Sequence, residues 1–346
     1  MKRSTLDALT RDLRLSEPAA ALALDLSGSR PNSDAWRAFA VRLMNGAGVA
    51  ALGAGAIFFV AANWQDYGVF GRFALLQMAF ALCIGAAWWK SPPHAVGTSA
   101  LVLAVLLVGA LLALFGQTYQ TGADLFELFF YWAALALPLA LAGRSGAAWA
   151  VWWTVLNVGL ALYTGWQGPD HFMWRWIDAR GLGKPLALTL PCAVNFAGAA
   201  IFLQLRRSRF ALDAPRWLVR LLATFAFLYG TTACIAAVVG GSWLADGGTA
   251  LRGQEALAIG FYGAACIAIA AGTLRSKRDV FPMAAIIASW IAITTAVLLK
   301  NMRVEDLGAF LILTVWLIGA STAAGYVLMK WVREWRFDEE AVETNA

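Results

Sequence analysis

The chain has 346 residues, 60% of them apolar and only 14% charged, with a formal net charge of +6 and a mean hydropathy of +0.65. Soluble domains carry about 25% charged and about 45–50% apolar residues, so a water-soluble enzyme is all but excluded, and collagen-like or disordered chains fail the same comparison. The 32 glycines and 17 tryptophans agree, because Gly is common in membrane helices and Trp gathers at bilayer interfaces.

Residues 1–40 read as a cytoplasmic amphipathic helical module. Leu6, Leu9 and Leu13 recur at helical spacing, Ser16 with Pro18 marks a helix start, and residues 27–32 form a linker. Ser33 or Asp34 then caps a helix that carries Trp36, Phe39 and Arg42 into the membrane. This polar stretch is too long for the n-region of a signal peptide, so no cleaved leader is expected.

A membrane helix needs about 20 mostly apolar residues. Ten stretches qualify: 42–62, 72–89, 96–116, 125–142, 147–166, 186–205, 217–240, 256–274, 280–299 and 307–329. Apolar residues run all round each of them, the pattern of a helix embedded in lipid. The predicted fold is therefore all-α, a polytopic membrane protein of about ten spans. Spans one to five occupy residues 41–166 and spans six to ten residues 167–329. Residues 330–346 are an interfacial anchor followed by an acidic tail expected to be disordered.

Lys and Arg divide 20 to 7 between alternate loops when the N-terminus is placed inside. That bias predicts cytoplasmic N- and C-termini. Acidic residues divide 12 inside and 9 outside, so the positive net charge reports topology. A nucleic-acid partner is not expected, since no basic stripe lies on a soluble domain.

Cys83, Cys192, Cys234 and Cys266 all fall inside spans, where they act as small apolar side chains. No pair has metal-ligand spacing, and neither a disulfide framework nor a cofactor is expected. His94 and His171 fall on opposite sides of the membrane and cannot share a zinc ion. No G-x-S-x-G, H-E-x-x-H or Walker-type loop is present, and no charge sits at mid-bilayer, where ion-coupled pumps place an acid. Catalysis would have to come from carboxylates at the outer ends alone.

Those outer ends recur. The first span ends Asn63-Trp64-Gln65-Asp66-Tyr67-Gly68 and the third Gly116-Gln117-Thr118-Tyr119-Gln120-Thr121-Gly122-Ala123-Asp124. The fifth carries Tyr163, Gly165, Gln167 and Asp170, and the seventh Gly240, Trp243 and Asp246. Residues 55–68 also align with 109–122, which points to repeated helical hairpins. The plainer reading is that Trp and Tyr settle at headgroups while Gly and Asp make turns, with Asp124 to Glu127 an acidic capping box. The functional reading gathers Asn63, Trp64, Asp66, Gln117, Tyr119, Gln120, Asp124 and Glu127 around one mouth suited to a polar or cationic headgroup. Glu127 lies one turn inside the apolar run, where a carboxylate should be hydrogen-bonded or protonated. Asn157, Asn195 and Gln77 are expected to make interhelical hydrogen bonds, and residues 319–325 to be a small-residue packing face.

Residues 6–165 resemble a family of bacterial multi-pass membrane proteins, DUF2157. The carriers are Ala61-Ala62-Asn63-Trp64, the run from Phe115 to Gly122, Asp124, and the run from Trp132 to Leu139. The resemblance implies a bacterial inner-membrane protein and brings no activity with it. The functional expectation is a binding or transport protein for a small polar or lipid-linked molecule, entered from the outside. The alternatives are an envelope scaffold or assembly factor with a membrane-protein partner, and an intramembrane enzyme acting on lipid or glycan.

Overall fold

The computed structural model describes residues 16–19, 22, 33–62, 67–120, 122–164, 185–205, 215–240, 253–276, 279–301 and 307–344. Its long elements are all helices: α1 Ser33–Ala62, α2 Val69–Trp89, α3 Ala95–Tyr119, α4 Leu125–Gly143, α5 Gly146–Tyr163, α6 Pro185–Leu205, α7 Arg216–Gly240, α8 Gly253–Ser276, α9 Phe281–Asn301 and α10 Leu307–Thr344. Among the described residues, ten helices are long and apolar enough to cross a membrane. In lipid every backbone polar group must be satisfied internally, which helices do without outside partners.

Two compact units divide within α3, at Leu111 and Leu112. This grouping differs from the chain halves that meet at 166–167. In the first unit α1 starts at Ser33 and runs unbroken to Ala62, so Trp36 and Phe39 belong to the helix that enters the membrane. Gly53 of α1 lies opposite Leu103 and Leu106 of α3. In α2 one face is buried through Leu76, Cys83 and Ala87. Gln77 lies on the exposed side, with no hydrogen bond to another described residue. The interhelical bond expected of it is not made.

The second unit contains α4 to α10. Residues α4 and α5 form an antiparallel hairpin whose turn uses Arg144 in the left-handed region (φ 42°) and Ser145 as N-cap, its hydroxyl accepting from Ala148 N. Gly159 lets α5 close on Phe129 and Phe130 of α4, and the Trp152 indole donates to Ala133 O at 2.7 Å. Helix α7 is the centre of the unit, with Leu218, Leu222, Ala226, Ile235 and Ala237 almost fully buried. Gly198 of α6 faces the Trp153 ring and Leu222. A Cβ at Gly230 of α7 would overlap the ring of Tyr262 on α8, so only glycine permits that crossing.

Polar groups inside this unit satisfy one another. The Asn157 amide donates to Asn195 Oδ1 at 3.0 Å, and Asn195 returns the bond at 2.7 Å. Each uses its second N–H on a carbonyl one turn back, Trp153 O and Pro191 O. Tyr229 of α7 donates to Asn157 O. One level over, Thr231, Tyr262 and Ser289 of α7, α8 and α9 form a buried triangle of hydroxyls at 2.7, 2.8 and 3.2 Å. Thr231 and Tyr262 both donate to Ser289, whose hydroxyl oxygen accepts the two bonds. Exposed Thr154 and Thr224 bond the carbonyl four residues back, which hides the hydroxyl from lipid.

The ends of α7 are tied to α9. Arg220 grips Asp279 with two nitrogens, the shorter contact 3.0 Å, while Asp279 also accepts from Phe281 N at the start of α9. At the other end Lys300 donates to Val238 O at 3.2 Å. Helix α10 runs on to Thr344, where a span ending at 329 and a disordered tail are expected from sequence. The cause is packing: Leu328, Trp331 and Trp335 join the cluster of Met283 and Ile286 on α9, holding helical register past the apolar run. The small-residue run fares the other way. A Cβ on Gly319 or Gly325 would meet nothing within 4 Å, so the expected packing face is open in this unit.

Candidate functional site

Five of the eight residues singled out from sequence lie at one corner of the second unit, where α3 passes into α4. Helix α3 runs three residues past the end of the span read from sequence, to Tyr119. Gln117, Tyr119 and Gln120 are exposed there. Phe115 and Tyr119, one turn apart, hold their rings 4.8 Å apart. The chain leaves the helix through Gln120 at φ 45° and Gly122 at φ 65°. Gly122 adopts the left-handed region without cost, whereas Gln120 is an uncommon occupant of it. Asn63, Trp64 and Asp66 lie outside the described residues, as do Gln65 and Asp170.

Asp124 is the N-cap of α4 by backbone geometry, with Glu127 N bonded to Asp124 O at 3.0 Å. Its carboxylate makes no capping bond. The boundary that the capping box predicts is therefore correct and the reciprocal side-chain bonds are absent. Asp124 is exposed and Glu127 half-buried. Neither carboxylate is hydrogen-bonded or ion-paired to another described residue, so the partner expected for Glu127 is not found among them. The Thr118 hydroxyl is buried without a partner as well.

Beside these acids stands an aromatic edge that the sequence reading did not assemble. Tyr163, at the end of α5, sits 5.5 Å from Phe126 and 6.2 Å from Phe130 of α4, ring centre to ring centre. The signal was the Phe-rich opening of α4, but only the antiparallel hairpin shows which residue of α5 meets it. Exposed Tyr163 thus meets α4 at Phe126, the neighbour of Glu127 in the chain, and exposed Tyr119 ends α3 five residues before Asp124. Carboxylates beside ring faces can attract a cation by charge and by the ring quadrupole. No group of three or more His, Cys, Asp or Glu residues able to hold a metal ion occurs among the described residues.

A second set of unpartnered polar atoms lies at the other end of α4 and α5. The indole N–H groups of Trp149 and Trp153 are buried and lack an acceptor. Trp153 is walled in by Gly198 and stands edge-on to Trp152. Trp149 lies a turn nearer the helix start, edge-on to Phe202.

Ten membrane-length helices with closed polar networks inside and open polar groups at a helix corner define a polytopic α-helical membrane protein. Residues 8–149 match the model of a family described as "Predicted membrane protein (DUF2157)", and over those residues the chain is similar to that family. The match takes in α1 to α4 and the turn into α5, including the whole α3–α4 corner. No curated protein and no solved structure matches the chain.

Proposed function

We propose that this membrane protein binds or transports a small polar or lipid-linked molecule, and that the α3–α4 corner is where the molecule is first held. Gln117, Gln120, Asp124 and Glu127 supply the polar contacts, and Tyr119 an aromatic face. The sequence recurrence extends the same reading to Asn63, Trp64 and Asp66. The observation that carries the proposal is the pair of carboxylates, Asp124 at the N-cap and Glu127 in the first turn of a membrane-length helix, without partners among the described residues. Leaving polar groups unmade at membrane depth costs free energy, and a cationic or hydrogen-bonding ligand would recover it. The adjoining rings favour an amine headgroup over a sugar or a metal ion. The bias of Lys and Arg in the loops supports an extracytoplasmic position for this corner, and the likeness to the family supports a bacterial inner membrane.

The test is thermal unfolding of the purified full chain in detergent, with and without ethanolamine, choline and the phospholipids that bear them. At least one of these should raise the midpoint for the wild type and leave the Asp124→Asn, Glu127→Gln double variant unmoved. Equal protection of both proteins removes the site.

The second reading, an envelope scaffold or assembly factor, is favoured by a different observation. Inside α5 to α9 buried amides and hydroxyls bond to one another. A scaffold should show no ligand protection and should co-purify with a stable membrane partner.

A further inference from the structure

Gln77 is an amide deep in a span that finds no bond in its own unit. It lies eight residues from Val69 and twelve from Trp89 in α2. Those separations are about 12 Å and about 18 Å along the helix axis, well inside a hydrocarbon layer of about 30 Å. The side chain is exposed and makes no hydrogen bond to another described residue. Lipid tails offer neither donor nor acceptor, so both edges of the amide are left unmet. Asn157 and Asn195, the other amides expected to bond between helices, are occupied by each other.

The face that carries Gln77 is shaped for a second helix. Phe70, Ala74, Gln77, Ala81, Gly85 and Trp88 are all exposed. At 3.6 residues per turn they fall within about 80° of one another, a single stripe along the span. The buried face of α2, through Leu76, Cys83 and Ala87, points elsewhere. The residues one turn to either side of Gln77 are alanines, and a Cβ at Gly85 would meet nothing within 4 Å. Small side chains around a polar one let two backbones come close enough for that group to bond across.

A second copy of this chain meets each of these requirements. Two copies inserted the same way are related by a two-fold axis along the membrane normal, which sets like residues opposite each other at one depth. An amide has a positive donor edge and a negative acceptor edge, so its charges complement their own image across such an axis. Two glutamines placed there make two bonds at once. Asn157 and Asn195 form that reciprocal arrangement within the chain, at 3.0 and 2.7 Å. An unrelated helix would need an amide at the same depth with small residues about it, whereas a second copy has both by symmetry.

We propose that α2 is a self-association face, pairing with α2 of a second copy through reciprocal Gln77 amide bonds. Ala74, Ala81 and Gly85 set the close approach. The pairing uses none of the residues of the α3–α4 corner and does not depend on a ligand there.

The experiment measures energy transfer between two fluorescent fusions of the full chain, reconstituted together in phosphatidylethanolamine–phosphatidylglycerol vesicles, as the lipid is increased. The wild type should follow a dimer dissociation curve. Gln77→Leu should weaken the dimer about threefold to about twentyfold, the range of interhelical polar bonds measured in membranes. Gly85→Ile should weaken it by holding the backbones apart. Leu82→Ala, at an exposed position outside the stripe, should leave it unchanged. Cross-linking decides the matter if a variant fails to fold. Ala81→Cys, oxidised in the membrane with copper phenanthroline, should give a disulfide-linked product of twice the chain mass. The wild type, whose Cys83 lies on the buried face of α2, should give none. A wild type that is monomeric at every lipid ratio overturns the proposal, as does a dimer indifferent to Gln77→Leu and Gly85→Ile. So does an Ala81→Cys cross-link that stays within one chain or joins a protein of another mass.

Discussion

The core of α5 to α9 and the corner between α3 and α4 treat polar groups in opposite ways. In the core each amide of the Asn157–Asn195 pair bonds the other and a carbonyl of its own helix. At the corner the side chains of Thr118, Asp124 and Glu127 bond nothing among the described residues. A polar group in lipid is stable only when it is paired, so the first arrangement holds helices in register and the second is open to a ligand. The contrast separates residues that stabilise from residues that recognise.

The largest effect expected on the core side is steric. Gly230→Leu would force a side chain into the Tyr262 ring, where overpacking costs about 1–3 kcal/mol or more. Unfolding in mixed detergent should show it as a loss of that size, and an unchanged protein would mean that α7 and α8 are further apart than described. Asn195→Leu should follow, at about 1–2 kcal/mol, because Asn157 is left half-bonded. Replacing both asparagines by leucine should cost less than the two single changes together, with a coupling of about 0.6 kcal/mol and at most about 1.7. Strict additivity would deny the reciprocal pair. Tyr262→Phe should cost only about 0.6 kcal/mol, since Thr231 and Ser289 keep their own bond of 2.7 Å. The smallest change in stability belongs to the corner: Asp124→Asn with Glu127→Gln should shift unfolding by less than about 0.5 kcal/mol. A large loss there would make these acids structural and erase the difference between the two regions.

Much of the fold was legible in the sequence because lipid imposes a simple rule. A run of about 20 apolar residues has to be a helix, and the ten runs appear as ten helices. Asn157 and Asn195 were recognisable as interhelical bonders, since an amide deep in a span needs a partner, though not as partners of each other. Gln77 carries the same signal and has no such bond, because the signal names a need and not its location. At the candidate site the acids and amides were visible as recurring polar ends. Tyr163 beside Phe126 was not, since 36 residues of chain separate two rings that only the hairpin brings together.

Sequence alone determined that this chain is a set of apolar helices in a membrane, where most of them begin and end to within a few residues, the end of α10 excepted, and which polar residues lie at their ends. These follow from hydropathy and turn chemistry, which are local and read residue by residue. Tertiary structure alone decided which polar groups satisfy one another, which remain open, and which glycines admit a neighbouring ring. Those outcomes depend on which helix faces meet, and residues far apart in the chain meet only when whole helices pack.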